Sequence, residues 1–225
     1  MPIPDIAAVE TALFEKTNAV RSEKNLAPIS QNTFLKIAAR AYATYLADKG
    51  LFSHTADGWS IEERVNIEGY KWCRLSENLS MRAPSQNTSA DQLASNIIEG
   101  WMKSPKHRIN VLEPNVTETG VGVAVAGEDA QKFISVQLFA RPQSFRYQII
   151  VKNMTYEPIS YALGAQDKIA SARMTVRHSL CDPQTIEFRA PKEKKISGRY
   201  QTKDNTVFLV TEDKDNSLKV EIMHP

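Results

Sequence analysis

The feature that most limits the fold is a break in patterning near Pro142. Before it, helical periodicity alternates with strand-like segments; after it, the pattern is almost wholly strand. A chain of 225 residues is long enough for two modest units. The boundary is expected at Arg141-Pro142-Gln143-Ser144, giving an α+β domain over 5–142 and a small all-β sandwich over 144–225. The β part shows strand-like runs at 145–151, 159–163, 173–180, 185–188, 198–201, 206–211 and 218–223. Turn residues such as Asp204-Asn205 and Asp213-Lys214-Asp215-Asn216 separate them.

In the first part, Asp5 is expected to cap a helix running to Asn25, with Ile6, Val9, Leu13 and Val20 on one face. Ser30 is expected to cap a second helix, whose stripe runs Phe34, Leu35, Ile37, Ala38, Ala41, Tyr42, Tyr45 and Leu46 and which ends at Gly50. Ser60 and Glu63 form a capping box, which assigns Glu62 and Glu63 to the start of a helix rather than to catalysis. Tyr70–Leu75 reads as a connector and Ser76–Met81 as a strand. Ser89 or Asp91 opens a helix bearing Leu93, Ile97, Ile98 and Trp101, which Ser104-Pro105 ends. Strands follow at 118–126 and 132–139, joined at Gly127-Glu128-Asp129.

Charge excludes some functions. The net charge is +2 and basic residues are mixed with acidic ones, so nucleic acid is not an expected partner. The run Lys192-Glu193-Lys194-Lys195 reads as a solvated turn. No apolar run approaches the roughly 20 residues of a membrane span, so the chain is not expected to cross a membrane. Met1-Pro2-Ile3-Pro4-Asp5 has neither the charged nor the apolar region of a signal peptide. It suits a cytosolic start or a mature chain whose export signal has been removed. The two cysteines, Cys73 and Cys181, form no metal-binding spacing. They read either as two unrelated thiols or as one long-range disulfide of an oxidising compartment.

The chemistry-bearing residues gather between Leu51 and Gly122. Three signatures stand there in order: Leu51-Phe52-Ser53-His54-Thr55, then Ser76-Glu77-Asn78-Leu79, then Trp101-Met102-Lys103-Ser104-Pro105-Lys106-His107-Arg108. The last continues through Asn110, Leu112, Pro114-Asn115 and Glu118-Thr119-Gly120-Val121-Gly122. Two imidazoles and one or two carboxylates are a workable ligand set for a divalent cation, and a Glu–His pair can work as general base and acid. Each residue also has a plainer role: Glu77 and Asn78 can brace loop ends, His107 can brace a short helix, and Glu118 can be an exposed strand carboxylate. Arg108 reads as a structural hydrogen-bonding fork, and His178 and His224, in or after the β part, as bland. No Gly-x-Ser-x-Gly elbow or His-Glu-x-x-His helix occurs.

The ordered signatures, with Asn18, Arg21 and the Val136-Gln137-Leu138-Phe139 strand, resemble the CAP superfamily over roughly residues 5–142. That superfamily includes cysteine-rich secretory, antigen 5 and pathogenesis-related 1 proteins. The Trp-x-x-Ser-Pro-x-His-Arg segment is similar to its bacterial branch. The resemblance implies a three-layer α-β-α sandwich with a cleft. His54 and Glu77 match the first histidine and first glutamate of a family tetrad; Ser104 and Ile134 stand where the second pair falls. His107 and Glu118 are the residues available to replace that pair.

The resemblance implies a secreted or periplasmic protein that binds a small molecule, a lipid or a divalent cation such as zinc. The candidate metal ligands are His54, His107 and Glu77, and no organic cofactor is expected. The β module is expected to contact the cell envelope or a protein surface. A Glu–His or metal-assisted hydrolase of peptides, with candidate catalytic residues His54, Glu77, His107 and Glu118, and a non-catalytic interaction scaffold are the alternatives.

Overall fold

The computed structural model describes residues 4–85, 87–127, 132–189, 198–214 and 217–223. The chain divides into two compact units, Met1–Ser144 and Phe145–Pro225. The 192–195 run, His224, and parts of the 127–129 and 213–216 turns lie outside the described residues. Among the described residues no helix is long and apolar enough to cross a membrane.

The first unit holds helices α1 (Ile6–Glu23), α2 (Thr33–Lys49), α3 (Ile61–Ile67), α4 (Ala90–Lys103) and α5 (Pro105–Val111). Its sheet has the order β1 (Ser30–Gln31), β3 (Glu118–Ala126), β4 (Lys132–Pro142), β2 (Trp72–Arg82). Side chains alternate across each strand and so supply two cores. Leu79, Ile134, Val136, Leu138 and Ala140 pack with Leu35, Ala39, Tyr42 and Leu46 of α2 and Val65 of α3. Val121, Val123, Phe133 and Phe139 face Leu13 of α1 and Leu93, Ile97 and Trp101 of α4. The result is the expected three-layer α-β-α sandwich.

Several local details depart from the sequence reading. Asn32, not Ser30, caps α2, accepting from the Phe34 and Leu35 amides, while Ser30 pairs with Glu118 in β1. Asn wins because its short side chain reaches both free amides of the first turn. Phe34 and Ile37 are 49% and 45% exposed, so the stripe on α2 is narrower than its composition suggested. The connector ahead of Ser76 is strand from Trp72, because antiparallel pairing with β4 continues to Pro142. Asp5, Gly50, the Ser60–Glu63 box and a Ser89–Gln92 box cap their helices.

Gly120 and Gly122 explain how closely α2 lies on β3. A Cβ at Gly120 would fall 2.2 Å from the Leu35 carbonyl carbon, and one at Gly122 would fall 2.2 Å from the Arg40 nitrogen. Two positions apart on a strand, both glycines face the same helix. Glu10, buried at 1% exposure on α1, accepts from Arg40 Nε at 2.8 Å and from the Val123 amide at 3.2 Å, joining α1, α2 and β3.

The second unit has two four-stranded sheets. One runs β10 (Arg199–Gln201), β9 (Thr185–Arg189), β6 (Ile159–Leu163), β7 (Gln166–Ala170). The other runs β12 (Leu218–Met223), β11 (Thr206–Glu212), β5 (Tyr147–Asn153), β8 (Thr175–Leu180). Tyr161, Ile186 and Phe188 of the first meet Ile149, Val151, Phe208 and Val210 of the second in one core. This is the expected β-sandwich. Strand β7 was not anticipated; only two residues part it from β6, and its exposed Gln166, Asp167 and Ile169 obscure the alternation.

Candidate functional site

His54 sits in the turn after α2, and three side chains hold that turn. Tyr42 OH donates to the Ser53 carbonyl and accepts from the Ala56 amide at 3.1 Å. Tyr45 OH donates to the Ala56 carbonyl at 3.2 Å. Arg64 donates to the His54 carbonyl at 3.1 Å. Tyr42 and Tyr45 lie three residues apart on α2, which puts both hydroxyls over the same loop.

Glu77 lies on β2 with its side chain only 4% exposed. Its Oε1 accepts from His54 Nδ1 at 2.7 Å and its Oε2 from Arg64 Nη2 at 3.1 Å. Arg64, 10% exposed, also donates to Asp57 Oδ1 and to the Trp59 carbonyl, both at 3.0 Å, and stacks 3.6 Å from the centroid of the Tyr42 ring. A carboxylate this buried needs such partners. The hydrogen bond to Glu77 raises the His54 pKa above its ordinary value, against the opposing pulls of burial and Arg64. His54 itself is 58% exposed, so its ring is anchored through Nδ1 and open to solvent.

His107 lies on α5, and buried polar side chains dock that helix on β2. Asn78, fully buried, donates to the His107 carbonyl at 3.1 Å. Asn110 donates to Asn78 Oδ1 at 2.9 Å and to the Glu77 carbonyl at 3.2 Å. Trp101 Nε1 donates to the Leu79 carbonyl at 2.9 Å, and Arg21 Nη1 holds the Val111 and Glu113 carbonyls at 2.9 Å each. Burial, and next the positive charge of His54, lower the His107 pKa. The two imidazoles are therefore electrostatic neighbours. The His107 side chain makes no hydrogen bond among the described residues.

Glu118 stands elsewhere. It accepts from Tyr70 OH at 2.6 Å and Asn32 Nδ2 at 3.2 Å. In register it lies level with Leu75 of β2, with β4 between them. Its strand is also not an edge, because β1 pairs beyond it. So His54 and Glu77 are joined directly, Asn78 and Asn110 dock the His107 turn of α5 beside Glu77, and Glu118 braces the entry to α2. Ile134, where the family's second histidine falls, is a core residue at 1% exposure. Ser104 occupies the N-cap position of α5 without a side-chain cap bond. Arg108 is exposed, and its guanidinium makes no hydrogen bond among the described residues, so it is no structural fork.

The sequence reading missed Arg64, Asp57 and Tyr42. No motif marks them, and α3 is too short for its pattern to signal an inward arginine. These three also line a cavity of about 340 Å³ that continues past Tyr45 and Trp59 to Ile67. Among the described residues no group of three His, Cys, Asp or Glu side chains is placed to hold a metal ion. Both Glu77 oxygens are committed, one of them to a guanidinium that repels cations. The donors that fit a metal here are the His54 Nε2 and the His107 ring, with Glu77 orienting His54 rather than ligating.

Comparison with known proteins agrees with the fold of the first unit. Residues 14–139, more than half of the chain, match the cysteine-rich secretory protein (CAP) family. An uncharacterised Bacillus subtilis protein, YkwD, is 31% identical over 131 residues, covering 57% of this chain and 48% of that protein. The chain thus spans about half the length of this relative. An outer surface protein of Borrelia burgdorferi superposes with a TM-score of 0.53 at 18% identity, covering 60% of this chain and 93% of that one. An extracellular Bacillus anthracis protein containing an SCP domain gives a TM-score of 0.51 at 23% identity, covering 63% and 45%. Both show the fold of the first unit. The chain belongs to the cysteine-rich secretory protein, or CAP, family, as a protein of the bacterial type with a β-rich C-terminal unit.

Proposed function

We propose that this is an exported CAP-domain binding protein that takes a divalent cation or a small ligand at the His54–His107 face, while its β unit contacts a surface or partner. One observation carries the reading: Glu77 is fully committed, to His54 on one oxygen and to Arg64 on the other. A carboxylate held in this way orients an imidazole and fixes its tautomer. It leaves Nε2 of an exposed His54 available beside an unbonded His107. Neutral imidazole suits zinc and similar ions, and a bound ion would polarise a carbonyl or lower the pKa of water. Export is supported by the absence of a free thiol and by the outer-surface and extracellular relatives.

Calorimetric zinc titration of the wild type and of the His54→Ala, His107→Ala double variant tests the site. Binding is expected in the first and lost in the second; equal affinities would remove the proposal. One observation favours a second reading, hydrolysis: the Glu77–His54 pair has the orientation of a carboxylate-supported general base. Turnover of peptide or ester substrates that survives Glu77→Gln and His54→Ala unchanged would end that reading.

A further inference from the structure

The β unit carries a groove that the CAP site does not use. Strands β7 and β8 are edge strands, one from each sheet. A groove of about 520 Å³ is lined by Gln166, Lys168, Arg177, His178, Ser179 and Gln184 together with apolar and backbone groups. Among the described residues its lining has two cations, two amides and no carboxylate. Neither Lys168 nor Arg177 has an ion-pair partner among the described residues.

Register places the inward members of the groove's lining, while Arg177 and Ser179, paired with Ile150 and Gln148, lie on the outer face of β8 at its exposed edge. Lys168 pairs with Tyr161, a core residue at 1% exposure, so Lys168 lies on the inner side of its sheet. His178 pairs with fully buried Ile149 and lies on the inner side of the other sheet. Tyr161 OH and His178 Nε2 are 2.7 Å apart. Burial pushes the Tyr161 pKa up to about 12, and burial followed by the Lys168 charge lowers that of His178. Both groups are therefore neutral at neutral pH, and one proton is shared along the Tyr161–His178 contact. His178, which reads as bland in the sequence, lines the groove with its ring tied to Tyr161.

We propose that this groove binds an oxyanion-bearing, hydroxyl-rich chain, an acidic saccharide or polyol: Lys168 and Arg177 hold its carboxylate or phosphate groups, and Gln166, Gln184 and Ser179 hold its hydroxyls. Charge-assisted bonds from unpaired cations give affinity, and side-chain amides match sugar hydroxyls as donor and acceptor at once. An inward lysine on an edge strand also discourages strand pairing between molecules. That role requires neither the second cation nor the amides. The proposal rests on the reading that the β unit contacts a surface only for its setting. The groove itself is tested apart from the His54 site.

The test is calorimetric titration of the full-length chain with four probes: a galacturonate oligomer, a glycerol phosphate oligomer, an uncharged malto-oligosaccharide and inorganic phosphate. At least one charged oligomer is expected to bind, more weakly in high salt. Exposed Arg177→Gln is expected to weaken it about tenfold, and Lys168→Met to do the same or more. The carboxylated and phosphorylated arms identify which oxyanion is preferred. Four results overturn the proposal: neither charged oligomer binds; malto-oligosaccharide binds as tightly; inorganic phosphate alone binds as tightly as the oligomers; or both variants, with unchanged melting, bind like the wild type. Since the zinc titration reads the His54 face separately, loss of one result leaves the other standing.

Discussion

Arg64 is the residue on which the candidate site turns, and Arg64→Ala is the most informative perturbation. The guanidinium is 10% exposed and serves two carboxylates, two carbonyls and one aromatic face. Its removal leaves Glu77, 4% exposed, with only His54 as a charged partner. Breaking a buried ion pair by deleting one side costs about 3–5 kcal/mol. The lower end applies here, because the bond to His54 keeps part of the compensation. About 3 kcal/mol corresponds to a fall of about 6–12 °C in the melting temperature of a unit this size. The assay is tryptophan fluorescence during heating, since all three tryptophans, Trp59, Trp72 and Trp101, belong to the first unit and report on it alone. Arg64→Lys keeps the charge but not the fork, and should fall between wild type and alanine. An Arg64→Ala protein within about 0.5 kcal/mol of wild type, the usual range of an indifferent surface change, would refute the assignment of Arg64 as the anchor.

Other consequences are equally open to measurement. In metal-free protein, proton NMR titration should find His54 above and His107 below the ordinary histidine value. Glu77→Gln should bring His54 down, because the pulls that remain, burial and Arg64, both lower it. The folded state holds the His54 proton more tightly than the unfolded state. Its contribution to stability is thus complete below the ordinary pKa of about 6.5 and lost as pH rises through the raised folded value; Glu77→Gln should abolish that loss, and an unchanged profile would contradict the pairing. Gly120→Ala or Gly122→Ala should destabilise by about 1–3 kcal/mol or prevent folding, read as loss of soluble protein or of cooperative melting. Tyr70→Phe should cost about 1 kcal/mol by removing the bond to Glu118 while leaving zinc binding unchanged; a loss of zinc binding would place Glu118 in the site after all.

Much of the fold was legible because it rests on local chemistry. The Asp5 cap, the Gly50 turn and the Ser60–Glu63 box are satisfied within a few residues of chain, so their spacing in the sequence reports them directly. The family motifs were legible for a different reason. Trp101, Asn78 and Arg21 are large or polar side chains buried against specific carbonyls, half-buried Asn110 bonds to Asn78, and together they leave a signature that composition cannot. What stayed hidden depends on tertiary register. Arg64 reaches Glu77 across thirteen positions, and nothing in α3 announces it. Glu118 shares a sheet face with the site but lies beyond β4, and that offset is fixed only once the strands pair. His178 reads as an ordinary strand residue until Tyr161 is found opposite it on another sheet.

The most direct test of the central claim is long-range nitrogen–proton NMR of the histidine rings during zinc titration of the full-length chain. His54 Nε2 and one nitrogen of His107 should shift together, while His54 Nδ1 stays protonated and bonded to Glu77. Zinc that leaves both rings unmoved, or that strips the proton from His54 Nδ1, would contradict it.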